Sequence, residues 1–143
     1  MKLILSLLAV TFAAAASLPA RAAVATGGFN VTASLTSKCD VTVAPTDVAF
    51  TYTSFQAAAA TATGGAFSVR CTTSLPYTFS VTANSGTVIG LNYTLGLSAA
   101  GGTGTGAAQS FSVTGSMAAS QSGTCATTAA CTGTAAHTLT VTY

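Results

Sequence analysis

Apolar and polar positions alternate in short runs along most of this chain. Residues 29–35 read Phe, Asn, Val, Thr, Ala, Ser, Leu, with an apolar side chain at every odd position. A period of two is that of a half-buried strand. The same period recurs over residues 66–72 (Phe67, Val69, Cys71), 77–83 (Tyr77, Phe79, Val81), 87–97 (Ile89, Leu91, Tyr93, Leu95, Leu97) and 110–117 (Phe111, Val113, with Met117 beyond Gly115). Residues 39–44 and 47–52 are shorter runs split by Pro45, which suits an edge or a kinked strand. The last run, 137–143, sets Leu139, Val141 and Tyr143 inward against Thr138, Thr140 and Thr142 outward. Short strands at this spacing, with turn residues between them, predict a β-sandwich. Residues 57–60 are four alanines without an amphipathic period around them, so they read as a loop or a single turn. Neither an internal repeat nor an interdomain linker interrupts the pattern.

The first 22 residues do not share it. Lys2 precedes an almost unbroken apolar run over residues 3–18, and Pro19 leads into Ala20-Arg21-Ala22. This is the pattern of a secretory leader with cleavage expected after Ala22. The run is short of the roughly 20 residues a membrane-spanning helix needs. The expected organisation is a leader over 1–22, an N-terminal extension over 23–37 and one domain over 38–143.

Composition then removes whole classes of function. Hydrophobic residues make up 50% of the chain and charged residues 4%, with four Lys/Arg, two Asp and no Glu. Intrinsic disorder is excluded by the high apolar content. A nucleic-acid binder needs clustered cations, which are missing. With the leader gone, Lys38 and Arg70 balance Asp40 and Asp47, and a net charge near zero favours self-association.

Four cysteines follow the leader, and an even number in a small exported domain reads as two disulfides. Three pairings are possible. Cys39–Cys71 and Cys125–Cys131 are favoured because one short Thr/Ala-rich loop separates Cys125 from Cys131. A zinc site on these thiolates with His137 is disfavoured by the lack of any C-x-x-C pair. Residues 101–106 (GGTGTG) are followed by strand patterning and lack a nearby Lys, so they read as a flexible connection and not a phosphate loop. His137 is the only histidine and no G-x-S-x-G elbow occurs, so no catalytic residue is expected. No metal or cofactor is expected either.

The 29–35 run lies ahead of Cys39, outside both favoured disulfide loops, with Gly27-Gly28 before it. Such a strand can fold back on its own domain, or it can swing out and complete the open edge of another copy. At the far end, Tyr143 closes both the last run and the chain, leaving no further sequence for an edge strand.

The run FNVTASLTSKCDV resembles the N-terminus of spore coat protein U domain proteins and archaic chaperone–usher pilus subunits. Similar pieces follow in order: GGAFSVRCTTSLPYTFSVTANSG, LNYTLGL, FSVTGSMAASQ and AHTLTVTY, together spanning residues 26–143. The resemblance implies an all-β, incomplete immunoglobulin-like β-sandwich completed by a donor strand. It implies Phe29, Val31, Ala33 and Leu35 as donor-strand residues, and a groove partly bordered by a C-terminal strand carrying Leu139, Val141 and Tyr143. Cys39 and Cys71 match the family's disulfide. The implied partners are identical or related pilus subunits, a periplasmic chaperone that would hold the Tyr143 carboxylate, and an outer-membrane usher. The implied destination, after transit through the periplasm, is a cell-surface pilus or coat fibre. The chain departs from the pattern in its Gly-rich 98–109 stretch, in the Cys125–Cys131 pair, and in Ala33, where a larger apolar residue is expected. The alternative is a self-contained secreted sandwich that binds a carbohydrate or protein ligand.

Overall fold

The computed structural model describes residues 23–143 of the chain, so the expected leader lies outside the described residues. The chain divides after Ser34 into two units. In the first, residues 23–34 carry neither helix nor strand, and Phe29 and Val31 are 87% and 84% exposed. The strand expected over 29–35 is therefore not formed. An extended segment becomes a strand only when a neighbour takes up its N–H and C=O groups.

The second unit, Leu35–Tyr143, is all-β. A six-stranded sheet is built from β1 (Cys39–Val43), β3 (Ala60–Thr61), β5 (Ala66–Cys71), β7 (Ser85–Val88), β8 (Leu91–Leu97) and β10 (Ala108–Met117). Its main path runs β1-β5-β10-β8-β7, with β3 beside β10. A three-stranded sheet has the order β11-β6-β9, from β11 (Leu139–Thr142), β6 (Pro76–Val81) and β9 (Gly101–Thr103). Two residues each of β2 (Val48–Ala49) and β4 (Thr63–Gly64) form a third, small sheet. All pairings are antiparallel.

Alternation explains the main core. On β5, Phe67, Val69 and Cys71 point inward and are essentially fully buried, and on β6 Tyr77 and Phe79 meet them from the other sheet. The Phe79 ring packs edge-on against both Phe111 and Phe67, at 4.8 Å and 5.2 Å between centroids. Such edge-to-face pairs add to the area they bury. The Tyr77 hydroxyl donates to Gln109 Oε1 at 3.1 Å, which satisfies the polar end of a buried ring. Cys39 stands opposite Cys71 in the β1–β5 ladder, and the two are joined as a disulfide. Cys125 and Cys131 form the second disulfide. Such bonds belong to an oxidising compartment outside the cytoplasm. Among the described residues no helix is long and apolar enough to cross a membrane.

Three expectations are corrected. The single run over 87–97 is a hairpin: Ile89 (φ 45°) and Gly90 (φ 71°) turn the chain between β7 and β8. Two successive positive φ values are what a tight two-residue hairpin requires, and a β-branched Ile gives no warning of one. The Gly-rich connection contains a strand, β9, whose Gly102 lies opposite Tyr77. A Cβ at Gly102 would come within 2.8 Å of the Tyr77 hydroxyl, so the glycine makes room for the ring. The third concerns Tyr143. The β11–β6 ladder ends at Thr142↔Thr78, and Tyr143 beyond it is 59% exposed instead of inward-facing.

Candidate functional site

Among the described residues, β1 and β11 each end a sheet with a free edge. β1 pairs only with β5, and β11 pairs only with β6. On β1, Val41 stands directly opposite Val69. Facing residues of an antiparallel pair share a face of the sheet. Val41 thus belongs to the core face, yet it is 49% exposed while Val69 is 0% exposed. A register shift follows, and Val43 ends opposite Ser68 on the outer face. On β11, Leu139 and Val141 point toward the core through their partners Val81 and Phe79 and are half-buried.

A cleft of about 530 Å³ opens beside β11, and β1 reaches it only through the residues that follow it. Residues 45–50, which continue from β1, line one side of it, and His137 and Leu139 line another. Leu91, Tyr93 and Met117 are buried residues of its floor. Past Pro45, Thr46 N still donates to the Ala66 carbonyl of β5 at 3.0 Å, and beyond that link residues 45–50 have the two-residue β2 pairing in place of a continued β1 ladder. Gly115 lets that segment close down on β10, since a Cβ there would meet Phe50 Cζ at 2.6 Å.

His137 Nε2 lies 2.6 Å from the Tyr93 hydroxyl, with the rings edge-on. Its Nδ1 is buried and has no hydrogen-bond partner among the described residues. Neither Asp40 nor Asp47 hydrogen-bonds the imidazole. Asp47 lines the same cleft as its only carboxylate. The other charges gather at the disulfide end: Lys38 Nζ lies 3.0 Å and Arg70 Nη2 3.8 Å from Asp40 Oδ2, all in exposed positions. With every cysteine paired, the thiolates of the zinc alternative are consumed. Among the described residues no three of His, Cys, Asp and Glu gather as a metal-binding group.

The expected site residues thus fall in two places. Leu139 and Val141 belong to the edge strand beside the cleft, with Tyr143 outside it. Phe29, Val31, Ala33 and Leu35 lie on a segment with neither helix nor strand, and the three large ones are each at least 80% exposed. Alternation along the chain does not reveal the 45–50 rim, the Tyr93–His137 pair, or the contribution of residues 131–135 to the cleft wall. The break at Pro45 and the small disulfide loop are the only signals of them. No protein-family model, no curated protein and no solved structure matches the chain.

Proposed function

We propose that this protein is a structural subunit of a secreted surface pilus or coat fibre, polymerised by donor-strand complementation. In this reading the domain is an immunoglobulin-like sandwich short of one strand. The 29–35 segment of one copy lies in the cleft of the next, between β11 and the rim that follows β1. The observation that carries the reading is the cleft itself: about 530 Å³ beside the edge strand β11, floored by Leu91, Tyr93 and Met117 and rimmed by residues 45–50, whose β2 ladder is two residues long. The complementary observation is that the large apolar residues of the alternating run, Phe29, Val31 and Leu35, are all exposed.

The dimensions and energies are compatible. Seven extended residues span about 23 Å, the length of a typical strand. Burying Phe29, Val31 and Leu35 contributes about 1.5–3 kcal/mol each before any ladder hydrogen bonds. A head-to-tail contact of this kind does not close on itself and grows into a filament. The smaller Ala33 fills less of its pocket than its neighbours do. During export a chaperone strand would occupy the cleft until an outer-membrane usher exchanges it for the next subunit, as the resemblance to archaic chaperone–usher pilins implies.

The test compares the full chain with one lacking residues 23–36 and with Val31→Asp. Heat-labile ladders on unheated gels are expected from the full chain and from neither variant, because the introduced carboxylate would carry an unpaired charge into an apolar site. A full-length chain that stays monodisperse, or ladders that persist in Val31→Asp, would refute the reading. The first of these results, joined to uptake of a soluble saccharide, would favour a closed ligand-binding domain.

A further inference from the structure

Residues 125–136 are fastened at both ends and free between them. On the near side, Gln121 Nε2 donates to the Asn92 carbonyl at 2.9 Å and its Oε1 accepts from Asn92 N at 2.7 Å. Thr124 N donates to the Ile89 carbonyl at 2.7 Å. On the far side stand the Tyr93–His137 bond and Thr138 N donating to Thr82 Oγ1 at 2.9 Å. From Cys125 to Ala136 the only hydrogen bonds stay inside the segment, such as Thr127 Oγ1 to the Ala129 carbonyl at 3.1 Å. None reaches the rest of the described chain.

What holds the middle down is apolar contact. Cys131, Thr132, Gly133, Thr134 and Ala135 line the cleft. Gly133 lies so close to the β7–β8 hairpin that a Cβ would stand 2.7 Å from Ile89 Cγ2 and 3.0 Å from Val88 Cγ2. Only glycine permits this approach. The Cys125–Cys131 disulfide gathers the first half of the segment into a small ring.

We propose that residues 125–136 are a strap along one wall of the cleft, seated on the β7–β8 hairpin in the free subunit and displaced when the 29–35 strand of a second copy enters. This rests on the donor-strand reading above and adds a gate to it. A segment held by contact alone between two anchors opens locally at far less cost than the fold as a whole. The entering strand brings the apolar area and backbone partners that the strap lacks. The ring stiffens the first half of the strap and so helps to hold it in its seat. The strap therefore sets how fast a strand is taken up.

The test uses the full chain with Val31→Asp, which keeps it from polymerising, and a dye-labelled peptide of residues 29–35. Gly133→Ala pushes the strap off the hairpin, and Cys125→Ser with Cys131→Ser opens its ring. Each is expected to raise the peptide association rate about tenfold. Peptide occupancy is also expected to speed proteinase K cleavage within 125–136. Rates within twofold of the parent in both variants, or peptide binding that leaves the strap as resistant as before, would overturn the strap. Peptide that binds no variant refutes the donor-strand reading instead. The strap is then judged by anilinonaphthalene sulfonate, whose fluorescence on the folded chain should rise severalfold in Gly133→Ala; unchanged fluorescence overturns it.

Discussion

Strands β8 and β10 are covered in two different ways along their length. Toward one end, Val113 joins Phe67, Val69, Tyr77 and Phe79 in a core closed by the three-stranded sheet. Toward the other, Leu91, Tyr93 and Met117 are met by Phe50, Tyr52, Ala60, Val88 and Ile89, from irregular or very short elements, with the cleft beside them. The first end is a core sealed on both faces by ladders. The second has its floor in place and its cover incomplete. In a chain with so few charges, an incomplete cover is where another strand gains most.

Mutation should separate the two ends first. Phe67→Ala removes a fully buried ring from between two sheets and leaves an enclosed cavity, with an expected loss of about 3–5 kcal/mol. Leu91→Ala opens into a cleft that already exists, and the expected loss is about 2 kcal/mol, at the low end for such a change. Urea unfolding midpoints measure both. Equal losses would mean that the second end is as tightly sealed as the first.

The disulfides should differ in the same sense. Cys39–Cys71 closes a loop of sequence separation 32 and Cys125–Cys131 one of 6. On the chain-entropy model their removal as paired alanines costs about 4 and about 2 kcal/mol. If the strap opens freely in the folded chain, the second loss falls below that figure, whereas the first stands in full. Thermal melts of the two double variants would rank them.

Legibility in the sequence follows the same division. Where a strand has one face in the core, alternation marks it, and β5, β6, β8, β10 and β11 sit where Phe67, Phe79, Tyr93, Val113 and Val141 predict them. The exposed apolar arm is equally visible, because Phe29, Val31 and Leu35 keep their period whether or not a partner is present. The cleft is not visible. Its rim at 45–50 is shaped by Pro45 and a two-residue ladder, and the 125–136 strap is Thr, Ala and Gly without a period. The Ile89–Gly90 turn is hidden by an Ile that fits the strand pattern while adopting a left-handed backbone. Closed cores repeat a rule along the chain, and open sites are made where the rule stops.

Alkaline pH gives a subtler probe of the sealed end. Burial pushes the Tyr77 phenol above its ordinary value of 10.0, because the phenolate would have to form out of water. The folded chain therefore keeps the proton longer than the unfolded chain does. The associated stability is fully present below the ordinary phenol value and is lost as pH rises through the raised one. Unfolding midpoints followed from about pH 8 to 11 should fall in the parent and fall less steeply in Tyr77→Phe. Parallel curves would show that Tyr77 ionises without opening the core.

The smallest effect is expected at the charges beside Cys39–Cys71. Asp40 has Lys38 and Arg70 as partners, but all three side chains are exposed to solvent, and such pairs contribute about 0–1 kcal/mol. Asp40→Asn should therefore lower stability by less than about 1 kcal/mol, and the difference should vanish in about 1 M salt, where exposed charges are screened within about 3 Å. The measurement is a pair of urea titrations at low and high salt. A loss above about 2 kcal/mol that survives salt would make the trio part of what seals this end. The contrast between the two ends would then be electrostatic as well as apolar, and the disulfide end would owe its closure to more than the Phe67 cluster and its covalent tie.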